Sequence, residues 1–435
     1  MDFIPVSKLP EKIGYLVNVR GWLHHVRHQG KLIFFVIRDS SGYVQAVAKP
    51  KAFNEEDGYT LAQNLTRETA VNATGKIKKD VRAPYNGIEL QLSSIKPVIN
   101  IASPELEYEI RPDSGPQVLA DKRHLVLRGE RTSDIMRIRD LVTRSLREFF
   151  FQRNFAEVTP PTIVQTQVEG GSTLFSFKYF DQEAYLTQSS QLYLETLLPS
   201  FENVFCVLPS FRAEKSRTRR HLTEYTHIEA EMAWFEFDDL LEFMEDMIIH
   251  VYEFLIPNPL IKKFNLNLQV PKKPFERVSY HKAIDLLREF NIKGETGEFL
   301  EYGDDITEGP ERALVDTINQ PTFLTHFPLG MKPFYMKVNA EDPKIMNAAD
   351  LLLPGVGEII GGSQREDDLE RLVAGYKREG LDLETYYWYT DQRKYGSVPH
   401  SGFGLGLERL VQAILSLEHI RDACLYPRLI NRATP

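Results

Sequence analysis

Between about residues 13 and 100, hydrophobic positions come in short bursts separated by turn residues. Tyr15 to Trp22, Lys31 to Arg38, Tyr43 to Ala48, Thr69 to Ile77 and Ile88 to Ile95 are rich in β-branched and aromatic residues, which pack well on a pleated surface. His28-Gln29-Gly30, Asp39-Ser40-Ser41-Gly42 and Tyr85-Asn86-Gly87 break the run. Five short strands with such breaks predict a small Greek-key barrel of the OB type. From Ser103 to Pro116 the pattern lapses, and Pro104, Pro112 and Pro116 with Gly115 predict a hinge. The period then changes. Ile135, Ile138, Leu141, Val142, Leu146, Phe149 and Phe150 recur at helical spacing, predicting a helix from Ser133 to Gln152 with Ser133 or Thr132 as its cap. Beyond it strands and helices mix without regular alternation, so an α+β domain on an antiparallel sheet flanked by helices is expected. The expected division is a barrel over 1–102, a hinge over 103–132 and the α+β domain over 133–435.

Composition narrows the class. Over 435 residues, 42% are hydrophobic and 26% charged, the mix of a globular protein of about two to three domains. No run of ~18 apolar residues is present, so no membrane span is expected, and Met1 to Pro10 lacks the apolar stretch of a secretory signal. The two cysteines, Cys206 and Cys424, have no metal-like spacing, which fits a reducing cytoplasm and no structural zinc. With a net charge of −9, any binding to RNA must rest on local basic patches or stacked bases rather than on bulk charge.

Three segments could carry chemistry. The first runs from Val204 to Phe237: a buried strand leads into Phe211-Arg212-Ala213-Glu214, then a basic loop from Lys215 to His221, then a strand from Glu224 to Met232. Period-two alternation puts Tyr225, His227, Glu229 and Glu231 on one face, with Ile228 and Ala230 on the other. Arginine can clamp a phosphate and a ring beside it can stack on a base; a solvated hairpin of mixed charge fits the same residues. The second is Gly402-Phe403-Gly404-Leu405-Gly406-Leu407-Glu408-Arg409. Leu407, Leu410, Val411, Ile414 and Leu415 form the apolar stripe of the helix that follows, and Arg409 lies off it in the first turn. A cation there opposes the helix dipole unless an anion is near; a surface arginine is the plainer reading. The third couples Asp350 to Glu358 within Gly357-Glu358-Ile359-Ile360-Gly361-Gly362. Two such carboxylates suit Mg²⁺ shared with phosphates, and a salt bridge from Glu358 to an arginine suits the residues equally.

Taken together, these segments resemble the signature motifs of the class II aminoacyl-tRNA synthetases. The helix from Ser133 and the strand Phe155-Ala156-Glu157-Val158-Thr159-Pro160-Pro161 resemble the family's first motif, which implies a homodimer. The resemblance implies activation of an amino acid with ATP and transfer to tRNA. It assigns Arg212 to the α-phosphate, Glu214 to the adenine amino group or the support of the site, and Tyr225 to the adenine ring. Arg220, His221 and Arg409 would meet the outer phosphates, and Asp350 and Glu358 would hold Mg²⁺. Related aspartyl enzymes usually carry serine where this chain has Gly361, which puts a metal contact there in doubt. The chemistry asks for alignment and charge neutralisation rather than a general base.

With its barrel, the chain resembles the subgroup serving aspartate, asparagine and lysine. In Gln188-Ser189-Ser190-Gln191-Leu192-Tyr193-Leu194-Glu195, Leu194 stands where aspartyl enzymes carry a lysine that pairs with the substrate carboxylate. The resemblance therefore implies asparagine and tRNA(Asn) as substrates, with Glu195 accepting from the carboxamide and Arg365 donating to its oxygen. Glu169, Gln191 and Glu231 match positions that bind the substrate ammonium, Glu169 in a loop able to close. Phe34 and Gln45 match positions that stack on and hydrogen-bond an anticodon base; since Phe35 points the opposite way, one of the two rings must face the barrel core. His24, His25, Arg27, His28 and Lys31 could meet the RNA backbone or form a solvated basic turn. The alternatives are a non-discriminating aspartyl enzyme, a relative making free asparagine, which would lack the barrel, and an RNA-binding paralogue without catalysis.

Overall fold

A computed structural model describes residues 2–53, 56–111, 113–215 and 219–435. Pro112 of the expected hinge and Ser216, Arg217 and Thr218 of the basic loop lie outside the described residues. The chain divides into two compact units, Met1–Lys122 and Arg123–Pro435.

In the first unit β1 (Leu16–Gln29), β2 (Leu32–Asp39), β3 (Gly42–Ala48), β4 (Ala70–Lys79) and β5 (Ile88–Pro97) close into a barrel in the order β1-β2-β3-β5-β4. Closure leaves no free sheet edge. On β2, Ile33, Phe35 and Ile37 are buried in the barrel core, whereas Phe34 and Val36 face outward and are half-buried. β1 continues past Trp22 to Gln29 through an irregularity between Leu23 and His25. His24, His25, Arg27 and His28 are therefore strand residues, not a turn: His25, Arg27 and His28 pair with β2, which satisfies their backbone, and His24 sits at the irregularity.

The segment expected to be a hinge contains short helices at Leu106–Glu109, Pro116–Asp121 and Arg123–Val126. The long helix starts at Glu130, three residues before the expected Ser133, with Gly129 as its extended N-cap. Glu130 puts a carboxylate at the positive end of the dipole, and the Ser133 hydroxyl, now inside the helix, donates to the Glu130 carbonyl at 3.0 Å.

The second unit is built on eight strands: β6 (Ala156–Glu157), β10 (Asn203–Phe211), β11 (Glu224–Ala233), β12 (Glu276–Ser279), β13 (Thr322–Pro328), β14 (Ile345–Leu353), β15 (Gly357–Gln364) and β16 (His400–Gly406). Their order is β12-β13-β14-β15-β16-β11-β10-β6, antiparallel except for the outermost pairs. A small sheet of β7 (Ile163–Val164), β9 (Gln182–Leu186) and β8 (Phe175–Tyr179) adjoins it in sequence. Helices Glu130–Gln152, Phe237–Leu255 and Leu407–Leu415 share one apolar core with the sheet. Ile228 and Ala230 of β11, Ile360 of β15, and Phe403 and Leu405 of β16 point into it. Phe150 stacks on Phe205 with ring centroids 4.4 Å apart, worth about 0.5–1.5 kcal/mol beyond area burial. The opposite strand face is left for polar work.

Candidate active site

That face is cut low by glycine. Along β16 the core residues Phe403 and Leu405 alternate with Gly402, Gly404 and Gly406. A Cβ at Gly402 would collide with the Glu231 carboxylate, and one at Gly404 with the His227 imidazole. Over this floor lies a cavity of about 610 Å³, within the range of small-molecule sites. Along β11 the side chains of Tyr225, His227 and Glu229 line it in succession, and Glu231 lies behind the last of them. Alternate residues of a strand are about 6.6–6.8 Å apart, so β11 offers a row of distinct polar groups to an elongated ligand.

All the expected catalytic-unit residues except Glu195 and Glu231 line this cavity. Arg212, at the end of β10, ion-pairs with Glu169 and lies 3.8 Å from Glu214. Its Cζ is 5.7 Å from the Tyr225 ring centroid, and its Nε is buried with no hydrogen-bond partner among the described residues. Glu169, expected on the ligand ammonium, is here the counter-ion of Arg212. Its loop is pinned by buried Gln188, which accepts from the Val168 and Glu169 amides at 3.0 and 3.1 Å and donates to the Gly170 carbonyl at 2.9 Å. His221 Nε2 sits 3.4 Å from Glu214. Burial, then Arg409 and Arg220, push its pKa down to about 4, so the ring is neutral at physiological pH.

At the far end Arg409 donates to Glu358 Oε2 at 2.9 Å and to its carbonyl at 3.0 Å. Arg409 is aimed by its neighbour: Glu408 accepts from Arg139 at 2.9 Å and from the Thr226 amide at 3.0 Å, locking the helix start against β11. Arg220 reaches Glu311 at 2.6 Å, and Glu311 also accepts from the Glu358 amide at 2.8 Å. Lys332, whose role the sequence did not reveal, donates to Asp350 Oδ2 at 2.6 Å. Burial raises Asp350 to about 6, whereas Arg409, Arg220 and Lys332 outweigh burial at Glu358 and hold it below the usual carboxylate range.

Among the described residues no group of three or more His, Cys, Asp or Glu side chains is placed to hold a metal. Two carboxylates do converge. A Cβ built on Gly361 would lie 3.4 Å from Glu358 Oε1 and 3.5 Å from Asp350 Oδ1, so the oxygens not engaged by Arg409 and Lys332 flank one space. Two carboxylate oxygens completed by phosphates and water are a normal Mg²⁺ environment; the residues fit that ion.

The amino-acid end departs from expectation. Glu195 does not line the cavity: its carboxylate is buried among protein groups. Oε1 accepts from Gln191 Nε2 at 3.1 Å, and Oε2 meets Tyr389 Oη at 2.7 Å, Arg393 Nη2 at 2.8 Å and His400 Nε2 at 3.0 Å. Direct contact with a ligand is thereby ruled out for Oε2. A carboxylate can only accept, so it fixes the Gln191 amide with its oxygen turned away from Glu195. Leu194 is buried among Leu198, Val204, Cys206 and Ala233, so the missing cation leaves apolar packing rather than an open pocket wall. Glu231, expected on the ammonium, is taken by Arg365, which approaches it through Nε at 3.1 and 3.2 Å and Nη2 at 2.5 Å. Glu229 lines the cavity in its stead, held by the Ser190 amide at 2.8 Å and by the Ser189 hydroxyl. The period-two face named Glu229; only the register of Arg365 separates its role from that of Glu231.

On the barrel, Arg27 lies over the outward Phe34 ring at 4.9 Å. Gln45 Nε2 donates to Glu89 Oε2 at 3.2 Å across the β3–β5 pair. Phe34, Gln45 and the unforeseen Glu89 thus form an aromatic and amide patch on neighbouring strands.

Residues 17–98 match the model of the OB-fold nucleic acid binding domain, and residues 115–430 match that of tRNA synthetases class II (D, K and N). The chain is 48% identical to the cytoplasmic asparagine–tRNA ligase of Homo sapiens over 439 residues, covering 99% of this chain and 79% of that one. It is similar to the crystal structure of asparaginyl-tRNA synthetase from Pyrococcus horikoshii complexed with asparaginyl-adenylate, with 40% identity, a TM-score of 0.93 and full coverage of both chains. The Entamoeba histolytica asparaginyl-tRNA synthetase in complex with asparaginyl-adenylate gives 41% identity and 0.90 over 97% of each chain. A match to the synthetase model over nearly three-quarters of the chain, on a cavity lined with arginines and carboxylates and after an OB barrel in sequence, places this chain among the class II tRNA synthetases of the D, K and N group.

Proposed function

We propose that this protein is an asparagine–tRNA ligase that activates asparagine with ATP and transfers it to tRNA(Asn), acting in the cytoplasm as a homodimer. The observation that carries the reading is the row along β11 with Arg212 at one end and the Arg365–Glu231 pair at the other. It matches the length and polarity of an aminoacyl-adenylate. The buried Nε of Arg212, without a hydrogen-bond partner among the described residues, supports a role for that side chain on the α-phosphate as pyrophosphate leaves. Tyr225 then faces the adenine with Glu214 nearby, Arg220, His221 and Arg409 address the outer phosphates, Glu229 receives the ammonium, and the Gln191 amide oxygen meets the carboxamide. Asp350 and Glu358 would hold Mg²⁺, which when bound would neutralise phosphate charge.

Selectivity for asparagine rests on charge that is already matched inside the wall. Arg365 spends two of its nitrogens on Glu231 and a third on Ser363 Oγ at 2.8 Å, and Arg393 is spent on Glu195. A neutral carboxamide adds no charge to this set. The carboxylate of aspartate would enter beside Glu231 and the Glu195-bound Gln191 without a free counter-ion, at a cost of several kcal/mol. This argues against a non-discriminating aspartyl enzyme, and the assembled Arg212, Glu358 and Arg409 argue against a binding-only paralogue. Phe34, Gln45 and Glu89 would read an anticodon base by stacking and hydrogen bonding. Pyrophosphate exchange across the amino acids tests the reading: it is expected with asparagine, and equal rates with aspartate would refute it.

A further inference from the structure

Glu311 stands in the first turn of the helix Glu308–Ile318 and lines the cavity beside Arg220 and Glu358. A free carboxylate there would repel a triphosphate, yet this one is only 5% exposed and is engaged on two sides. Its Oε1 accepts from Arg220 Nη1 at 2.6 Å and from the Glu358 amide at 2.8 Å. The helix that carries it is fixed in turn. Leu314 and Val315 are buried with Leu324 of β13 and Leu352 of β14, and the Glu311 amide donates to the Thr307 carbonyl at 3.1 Å.

The neighbouring strand makes room for the pair. Gly357, the first residue of β15, has φ +86°, a conformation that favours glycine. A Cβ there would meet Glu311 Oε1 at 2.5 Å and Arg220 Nη1 at 2.6 Å, so the ion pair occupies the volume a side chain at 357 would need. At Gly361, the space flanked by Glu358 and Asp350, no atom of Glu311 comes within 4 Å of the Cβ position. Glu311 is therefore not a third carboxylate of that space.

In the proposed reading, on which this inference rests, Arg220 and Arg409 address the outer phosphates. A guanidinium is a planar fork, so holding Nη1 in a buried, charge-assisted bond also fixes the directions of its other N–H groups. The oxygen that holds Arg220 also holds the backbone of Glu358, whose side chain accepts from Arg409 at 2.9 Å. Both arginines are thus registered to the start of one strand. We propose that Glu311 is a positioning residue for ATP: without touching the nucleotide, it holds Arg220 in the direction from which its remaining N–H groups meet the outer phosphates. A donor aimed before the ligand arrives loses less freedom on binding than one that must be ordered by it.

Pyrophosphate exchange, titrated separately in ATP and in asparagine, tests this. Glu311→Gln keeps the shape and removes the charge, and is expected to raise the KM for ATP about tenfold or more with the KM for asparagine held. Glu311→Asp, still charged but one methylene shorter, should show a smaller rise and serves alone should the glutamine variant misfold. Arg220→Ala raises the KM for ATP by itself, and in that background neither change at Glu311 should raise it further, because the group being positioned is gone. An acid with a merely structural role would do damage in both backgrounds alike. An additive rise, a shared rise in both KM values, or a KM for ATP that stays level or falls in Glu311→Gln overturns the proposal. An unchanged KM for ATP in Arg220→Ala alone would instead sink the assignment of Arg220 to the phosphates, so the two failures are distinguishable.

Discussion

Replacing Glu195 with glutamine removes one charge from a network that is sealed on every side. Arg393 and Glu195 have side chains 0% and 1% exposed, so water cannot compensate the guanidinium once the carboxylate is gone. Breaking a buried pair by removing one partner costs about 3–5 kcal/mol. The new amide must also turn its NH₂ toward either Gln191 Nε2 or the Tyr389–Arg393–His400 side, placing donor against donor. For a unit of this size the melting midpoint should fall by roughly 5–15 °C. Burial alone would raise the Glu195 pKa, but Arg393, His400 and Arg365 outweigh it and hold the folded value below the ordinary one. The stabilisation is therefore complete above the unfolded carboxylate pKa and is lost only as pH falls through the lower folded value. The gap between wild type and variant should stay level from neutral pH to about pH 5 and close in acid. Calorimetry across pH reads this directly. With Glu195 neutral, the Gln191 amide is free to flip, so the ratio of asparagine-dependent to aspartate-dependent exchange should fall. An unchanged midpoint would refute the energetic argument; a lower midpoint with unchanged selectivity would refute the orientation of Gln191.

Arg409→Ala strips Glu358 of its partner and the outer phosphates of a cation; kcat/KM for ATP should drop about 10²–10³-fold with the KM for asparagine held, and a shared loss would argue for general damage. Phe34→Ala should weaken tRNA(Asn) binding by about 1–3 kcal/mol, roughly 5–150-fold, while exchange stays at the wild-type rate. Titration of the aminoacylation KM checks that, and unchanged KM removes Phe34 from the interface. Gly361→Ser meets Glu358 and Asp350 at ordinary van der Waals distance, so it should fold, and its hydroxyl beside both carboxylates should lower the Mg²⁺ concentration that half-saturates exchange; a rise would place the ion elsewhere.

The barrel was legible because its signal is local. Ile33, Phe35 and Ile37 alternate with Phe34 and Val36, and that alternation alone orients Phe34 outward. The start of the long helix was misread for an equally local reason. Ser133 offers a hydroxyl and Gly129 does not, yet Glu130 and the helical backbone of the preceding turn begin the helix earlier. The glycines of β16 could be read as close-packing positions, but not what they pack against. His227 and Glu231 stand on another strand, brought over Gly404 and Gly402 by the β11–β16 pairing.

The same division explains why the acid expected to touch the substrate turned out to stand behind it. Gln191 and Glu195 are four residues apart in one helix, and residues at that spacing meet, so their mutual bond was available from spacing alone. What spacing could not supply was the far side of Glu195: Arg393 and His400 are 198 and 205 positions away in the chain. A carboxylate with no visible partner reads as a ligand contact; the same carboxylate with three buried partners becomes a fixed support. Its effect on specificity does not vanish with that change. In the proposed reading it passes through Gln191, whose carboxylate-bound amide offers an acceptor oxygen, and an acceptor favours an N–H of the ligand over a carboxylate oxygen. On that proposal, selectivity in this wall is a property of hydrogen-bond direction set one residue behind the surface, which is why charge at the surface alone predicts it poorly.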